Sequence, residues 1–528
     1  MGVRRPNCSP EVTMDGHTTL LEKAAAAERD FAAVRARAGT AKAQPLPADS
    51  SGSVPLYADR VRVYPKAVHG AYRRIKWAVL GFCLTLYYLA PWLRWDRGPG
   101  APDQALLIDM TAPRAFFFDI EIWPQEVYFI TGLLVLGALG LFLVTSLFGR
   151  LWCGYACPQT VWTDLFMWVE RLIEGDRAKR MRLDQGPLTV QKVAKKIAKH
   201  SAWLLIALAT GGAWALYFND APTFVADFFT GGASVEQYFF VGLFTSTTYL
   251  LAGWAREQVC TYMCPWPRFQ ASMLDKDSLV VTYEDWRGER RGKTKAGAPP
   301  VGFGDCVDCR QCFAACPMGI DIRDGQQMEC IGCGLCIDAC DEIMDRMQRP
   351  RGLIQFDTLA NQEAKAKSLP PRFRFVRPRT VIYAALVAAV AGIMLAALVL
   401  RTTVEVSVLR DRAPLFVTLS DGSIRNGYTL RVLNKKREDV AFDLSLDGLP
   451  GATLVVQDVG EAADGRAVVL HTRPDTAETY RVFISLPHGA AEEENTSFDF
   501  ILRDPVSGDG DIYEAVFMGP HKPRPHRY

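Results

Sequence analysis

The sequence predicts a multi-domain chain: an α-helical membrane bundle of about five transmembrane helices, a cysteine-rich domain inserted before the last of them, and an all-β sandwich at the C-terminus. Three observations carry this expectation: five apolar stretches, eight cysteines between Cys306 and Cys340, and a C-terminal series of short segments that alternate apolar and polar residues. A chain of 528 residues is too long for one core, and 49% hydrophobic with 22% charged residues fits polar domains joined to apolar segments. The formal charge of +2 excludes a strongly basic nucleic-acid binder, because neutralising phosphates needs a concentrated excess of Lys and Arg. Of the fourteen cysteines, eight are clustered, four form two matched pairs and only Cys8 and Cys83 stand alone, unlike a secreted disulfide framework.

Residues 1–72 carry charges throughout, an Ala-rich patch and a Pro/Ser/Gly stretch, but no apolar h-region; they are expected to form a cytoplasmic tail without a cleaved leader. The membrane region, residues 73–270, follows. Apolar stretches near Trp77 to Leu93, Val127 to Phe148, Ala202 to Phe218, Tyr238 to Trp254 and, beyond the insert, Thr380 to Leu400 each approach the length that crosses about 30 Å of hydrocarbon. Trp77, Trp92, Trp95, Trp203, Trp214 and Tyr217 at the ends of the two shortest read as interfacial anchors. Lys and Arg number three between the first and second spans, ten between the second and third, and none from Asn219 to Glu236. Positive-inside therefore assigns the N-terminus, the 149–200 loop and residues 255–379 to the cytoplasm and sends the C-terminus across the membrane. The acidic 109–126 loop (Asp109, Asp119, Glu121, Glu126) faces outward and reads as a solvated segment, with cation attraction as the alternative.

Two motifs sit about five residues past the second and fourth spans: Trp152-Cys153-Gly154-Tyr155-Ala156-Cys157-Pro158 and Val259-Cys260-Thr261-Tyr262-Met263-Cys264-Pro265. They read as a parallel internal repeat. On a helix, positions i and i+4 share a face, so each pair is expected to present two sulfurs to one site, and the four thiols can meet. Soft thiolates suit Cu(I) or an iron–sulfur centre, with Met263 as a further thioether; spacing leaves copper and a third cluster open, and buried apolar cysteine is the bland alternative. His200, entering the third span, is a candidate assistant, although an interfacial histidine is the commoner explanation.

The insert, residues 271–372 with a core at about 300–350, carries Cys306-x-x-Cys309-x-x-Cys312-x-x-x-Cys316-Pro317 and Cys330-x-x-Cys333-x-x-Cys336-x-x-x-Cys340-Asp341. Three thiolates at i, i+3 and i+6 wrap one face of a 4Fe-4S cubane, and the fourth cysteine of each run ligates the other cluster. One cluster is thus expected on Cys306, Cys309, Cys312 and Cys340, the other on Cys330, Cys333, Cys336 and Cys316; paired zinc sites are the alternative. Gly332 and Gly334 suit tight turns whose N–H groups face cluster sulfides. Asp341 stands where bacterial ferredoxins usually have Pro.

After a fifth span within residues 373–401, the stretch 402–528 alternates at Val404-Val406-Val408, Tyr428-Leu430-Val432, Phe442-Leu444-Leu446, Tyr480-Val482-Ile484-Leu486, Phe498-Phe500-Leu502 and Tyr513-Ala515-Phe517, with a turn at Ser420-Asp421-Gly422. This predicts an immunoglobulin-like sandwich, here without cysteine. His521 and His526 lie in a Pro/Arg-rich tail and read as solvated.

The runs from Gly149 to Trp162 and from Arg256 to Gln270, the earlier Ile122-Trp-Pro-Gln125 and the twin cysteine motif resemble the cytochrome c oxidase accessory protein family, known as CcoG, FixG or RdxA. The resemblance runs from about Tyr57 to the end. It implies a bacterial inner-membrane polyferredoxin with two 4Fe-4S clusters and a periplasmic immunoglobulin-like domain, acting in assembly of the cbb-type haem–copper oxidase. The implied task is a cupric reductase activity that supplies Cu(I) to copper chaperones and oxidase assembly factors, with electrons from an unidentified cytoplasmic donor. Cys153, Cys157, Cys260 and Cys264 carry over as candidate copper residues, and the eight insert cysteines as cluster ligands. Two further readings compete: a quinol-linked electron-transfer subunit, and a non-enzymatic assembly scaffold or redox sensor.

Overall fold

The structure is a computed structural model that describes residues 62–98, 101–297, 302–463, 467–487, 489–490 and 494–520. The tail with Cys8, and His521 and His526, lie outside the described residues. The chain divides into two compact units, one of residues 1–97 and 101–391 and one of residues 98–100 and 392–528.

The first unit begins with α1 (Ala71–Leu89), followed by a three-stranded sheet of β1 (Leu106–Asp109), β2 (Arg114–Phe117) and β3 (Ile120–Ile122). That sheet corrects the reading of a solvated acidic loop. Glu121 is buried against Arg114 at 2.9 Å, and the buried Glu126 carboxylate accepts the Trp123 backbone N–H at 3.2 Å, while Asp109 and Asp119 also accept hydrogen bonds from within the chain. Next come α2 (Tyr128–Phe148), the short α3 (Leu151–Tyr155), α4 (Pro158–Glu174), α5 (Arg177–Gln185) and α6 (Val190–Leu216). Helix α7 (Ala221–Thr230) leads into α8 (Val235–Thr248), which continues as a π-helical segment over Tyr249–Ala255 and, past a break, as a π turn over Val259–Met263. Helix α9 (Trp266–Met273) closes this part.

Among the described residues, three helical stretches are long and apolar enough to cross a membrane: Ala71–Trp92, Pro124–Phe148 and Pro378–Val399. The other two expected spans are helical but fall short of that standard. In α6 the apolar run starts only after Lys199, and α8 carries Gln237 and a polar Thr245-Ser-Thr-Thr248 run. These two helices still pack intimately: a Cβ on Gly211 would stand 2.8 Å from the Val241 carbonyl oxygen. Around Trp203, which stacks on Phe166 at 5.5 Å and donates its indole N–H to the Phe166 carbonyl at 3.0 Å, α4, α6 and the π segment share a core with Val169, Ala207 and Ala252.

The insert contains β4 (Val280–Tyr283), α10 (Asp285–Gly288), α11 (Gln311–Ala315), α12 (Leu335–Arg346), β5 (Ile354–Asp357) and α13 (Leu359–Ala366), with β4 and β5 antiparallel. It grips the first helix directly. The Asp338 carboxylate of α12 accepts the Tyr72 and Arg73 backbone N–H groups at 3.2 and 2.7 Å, capping α1 where its dipole favours an anion. The Arg73 guanidinium then donates both ways to Asp164 on α4, at 2.9 and 2.8 Å. Helix α14 (Pro378–Val399) follows.

Among its described residues the second unit is a two-sheet sandwich of ten strands: β6 (Val404–Arg410), β7 (Val417–Thr418), β8 (Ile424–Asn434), β9 (Val440–Asp447), β10 (Thr453–Val456), β11 (Gly460–Ala463), β12 (Val468–Thr472), β13 (Thr476–Leu486), β14 (Asn495–Arg503) and β15 (Gly510–Met518). One sheet runs β11-β10-β13-β8-β6, with β7 also on β8, and the other β12-β9-β14-β15. Every alternating segment named from the sequence lies in a strand, its large apolar residues mostly facing the shared core. The Tyr428 hydroxyl donates across the core to the Val516 carbonyl at 2.9 Å, tying the sheets without a disulfide. Phe500, fully buried between them, is expected to cost about 3–5 kcal/mol when replaced by Ala. Protease resistance of this domain across a urea series checks it; an unchanged midpoint would contradict the packing described.

Candidate functional site

Chain geometry around both cysteine pairs is set by the proline that follows each. Pro158 opens α4, which forces Cys157 into extended backbone (φ −60°, ψ 129°), and Cys264 before Pro265 is likewise extended (φ −82°, ψ 122°). The expectation that each pair shares a continuous helical face is therefore corrected. Cys153 sits in α3 and Cys157 is the residue before α4, while Cys260 lies in a π turn that ends at Cys264. The thiols nevertheless meet: Cys153, Cys157, Cys260 and Cys264 all line one cavity of about 120 Å³, together with Arg150, Gln159, Gln270, Met328 and Cys330. Met263, the thioether expected beside them, is 61% exposed and does not line it; Met328, far away in sequence, takes that place. His200 also lies elsewhere, with its Nδ1 2.8 Å from the Tyr249 hydroxyl.

Within the cavity the fully buried Gln270 accepts a hydrogen bond from the Cys153 thiol at 3.3 Å, and the Thr160 hydroxyl donates to the Cys153 carbonyl at 2.6 Å. Burial pushes Cys153 and Cys260 up to about 12, and nearby thiols of the same set add to the shift. Free of metal, these groups are thiols at neutral pH, so loading a metal releases protons.

In the insert, burial raises the Cys340 thiol, and Cys312, Cys309 and Cys306 lie close enough to push it further. A second small cavity is lined by Cys316, Cys330, Cys333 and Cys336, together with Cys312. There burial pushes Cys316 up to about 12 and Cys330 up to about 11. Gly332 and Gly334 are left-handed at φ +66° and +72°, the conformation that lets this loop fold back on itself. Asp341 accepts the Gly352 N–H at 3.0 Å, which gives the residue at the usual proline position a structural task. Among the described residues, no three His, Cys, Asp or Glu side chains close around a single point as a mononuclear shell does. Cys316, Cys330, Cys333 and Cys336 in one lining match the all-sulfur ligand set of a 4Fe-4S cubane.

The two cavities share a wall. Cys330 lines both, and α3 is pressed against the loop that carries Cys330 and Cys333. The Arg150 guanidinium donates to the carbonyls of Met328, Cys330 (3.1 Å) and Pro267 (3.0 Å), and the Tyr155 hydroxyl donates to the Cys333 carbonyl at 3.0 Å. Cys153 itself packs on the apolar cluster of Ile331, Cys333 and Leu335. Gly154 makes the approach possible, since a Cβ there would be 2.9 Å from the Gly332 and Ile331 carbonyl oxygens. Arg150, Gln270 and Met328 carry no sequence signal of their own; Arg150 and Gln270 stand only near the ends of the two cysteine-pair runs.

Comparisons with known proteins agree with this layout. Residues 255–359 match a family described as a 4Fe-4S dicluster domain, residues 130–175 a 4Fe-4S binding domain, and residues 394–520 the immunoglobulin-like fold at the C-terminus of FixG. The chain is 50% identical over 496 residues to the nitrogen fixation protein FixG of Rhizobium meliloti, covering 88% of this chain and 94% of that one. It belongs to the FixG/RdxA family. Proteins RdxA and RdxB of Cereibacter sphaeroides are 47% and 49% identical, over 88% of this chain and 99% and 97% of theirs. Both paired-cysteine motifs fall inside matched iron–sulfur regions, Cys153 and Cys157 in the first and Cys260 and Cys264 in the second. As a FixG-family protein the chain carries 4Fe-4S ferredoxin domains, electron-transfer chemistry and an immunoglobulin-like domain.

Two measurements probe the site. In metal-free protein, Cys153 and Cys260 are expected to react with iodoacetamide at pH 8 at least about tenfold more slowly than a free cysteine peptide, the rate still rising above roughly pH 10 because the raised thiols ionise late. A plateau near the ordinary thiol range would contradict that burial. Gly154→Ala is expected to loosen the docking of α3 by about 1–3 kcal/mol, read as faster iron release to a chelator; release at the native rate would show that α3 does not hold the cluster loop.

Proposed function

We propose that this protein is a multi-pass protein of the bacterial inner membrane that reduces Cu(II) to Cu(I) for maturation of a cbb-type cytochrome oxidase, handing Cu(I) to copper chaperones. Five spans, with the insert and the cysteine cavity on the cytoplasmic side and the immunoglobulin-like domain in the periplasm, complete the reading. The observation that carries it is the shared wall: four paired thiols line one cavity with Cys330, a cysteine of the neighbouring cluster loop.

When bound, the two 4Fe-4S clusters would supply single electrons. The residues of the chain do the rest. Cys306, Cys309, Cys312 and Cys340 hold one cluster and Cys330, Cys333, Cys336 and Cys316 the other. Cys153, Cys157, Cys260 and Cys264 bind substrate Cu(II) as thiolates and lose their protons to water; Gln270 orients Cys153, and Arg150 offsets the accumulated negative charge. Cu(II) takes up one electron across the Cys330 wall and becomes Cu(I), the softer ion, which thiolate and thioether ligands retain and pass on without a change of ligand type. Low coordination numbers suit Cu(I), so the open arrangement of the thiols is no obstacle.

A specific observation favours a second reading, in which the four thiols hold a third 4Fe-4S cluster: both pairs fall in iron–sulfur family matches, and the cavity of about 120 Å³ is roomy for one ion. Anaerobic reduction, addition of Cu(II) and capture of Cu(I) by a chromogenic chelator test the first reading, with iron counted in parallel. The wild type is expected to yield Cu(I) in step with cluster oxidation at about eight irons per chain, as two cubanes require. The Cys153/Cys157/Cys260/Cys264→Ser variant should keep its iron and lose Cu(I) production. About twelve irons in the wild type, falling to about eight in the variant, would establish the third cluster instead.

A further inference from the structure

We propose that a cavity of about 400 Å³, lined by His200, Trp203, Trp254 and Arg256 among others, binds the headgroup of a membrane quinone, and that the quinol is the electron donor. This rests on the electron-transfer reading above. The volume falls in the range of small-molecule sites. The cavity lies where the apolar run of α6 begins and where α8 turns π-helical, and such insertions recur at functional sites. Trp254, 62% exposed, lines it at the end of an apolar segment, and planar rings stack on such faces.

The charges say what kind of ligand fits. Four cations line the cavity and each already meets a carboxylate: Arg62 with Asp184 at 3.0 Å, Lys196 with Glu174 at 2.8 Å, Lys199 with Glu174 at 3.0 Å and Arg256 with Glu170 at 2.9 Å. A phosphate would find its counter-charge taken. What remains are hydrogen-bonding atoms for a neutral ligand. Arg256 is 9% exposed and its Nη2 has no hydrogen-bond partner, while its guanidinium lies over the Trp203 ring at 4.9 Å and its Nε donates to the Gly253 carbonyl at 2.8 Å. His200 uses Nδ1 toward Tyr249, which leaves Nε2 for a ligand. Burial, then Lys199 and Lys196, push its imidazole below the usual range, which keeps the ring neutral. A cationic donor and a neutral imidazole beside the exposed Trp254 ring suit a quinone carbonyl and its quinol O–H.

The cavity also has a short way to the cysteines. Gln159, which lines the cysteine cavity, donates its amide N–H to the carbonyls of Leu251 at 2.8 Å and Arg256 at 3.2 Å, and Arg256 lies four residues before Cys260. In the step, the quinol gives up two electrons and two O–H protons and leaves as the quinone. One electron goes to each of the two iron–sulfur clusters, one proton to His200 and one to water.

The test uses holoprotein in phosphatidylcholine nanodiscs without copper, an azido-ubiquinone photolabel, and decylubiquinone as competitor. Label is expected in residues 196–203 or 249–257, suppressed about tenfold by saturating decylubiquinone. His200→Gln and, separately, Trp254→Ala should each weaken decylubiquinone binding about tenfold while iron content and thermal stability stay native; Trp254 is exposed, so that variant folds even if the other does not. Decylubiquinol should bleach the clusters of the wild type anaerobically, and of the four-cysteine variant too, so failure of the copper reading would leave this result standing. Label elsewhere, native affinity in both variants, or displacement by cardiolipin but not by decylubiquinone would overturn the site. Binding without bleaching would overturn the donor role.

Discussion

The architecture depends on one contact: the docking of the 150–155 segment onto the cluster loop around residues 328–334. Arg150 supplies most of it, since one buried guanidinium donates to the carbonyls of Met328, Cys330 and Pro267. Tyr155 adds a bond to Cys333, and Gly154 removes the side chain that would keep the backbones apart. Without this contact the paired cysteines and the insert would be two separate sites. With it, Cys153 and Cys330 face one volume and the chemistry of one set of sulfurs reaches the other.

Buried ion networks hold the surrounding helices in the register this contact needs. Asp338 caps α1, Arg73 carries that grip to Asp164 on α4, and Glu170 further along α4 gathers Arg180 and Arg256 at 2.9 Å each. Burial alone would push Glu170 up, but Arg256, Arg180 and Lys199 outweigh it and hold the carboxyl at about 2. Such pairs add little net stability, yet losing one partner strands a buried charge, so they specify one arrangement against others. The loop after α4, α6 and the segment leading to Cys260 are thereby fixed to the same frame as α3.

Much of this was legible in the sequence because it is local. Cysteine spacing announces the 4Fe-4S domain, period-two alternation announces strands, and apolar runs announce α2 and α14. The misread parts depend on backbone or distance. The Cys-Pro step ends a helix rather than riding on one, so Cys157 and Cys264 reach the cavity from extended backbone. Met263 looked like a ligand by adjacency and points away, while Met328 lies 171 or more residues from the first pair and arrives only through the fold. Arg150 looked like one more positive charge in a cytoplasmic loop, and Glu121 and Glu126 like solvated acids; burial reverses each reading.

If the cysteine cavity and the adjacent cluster act as one unit, filling the cavity must be felt by that cluster alone. Ag(I), a soft and redox-inert analogue of Cu(I), tests this in an EPR-monitored redox titration of the holoprotein with and without the ion. The account predicts that Ag(I) moves the midpoint of the cluster held by Cys330, Cys333, Cys336 and Cys316, leaves the other unmoved, and does neither when the four paired cysteines are Ser. Equal movement of both clusters, or of neither, would contradict it.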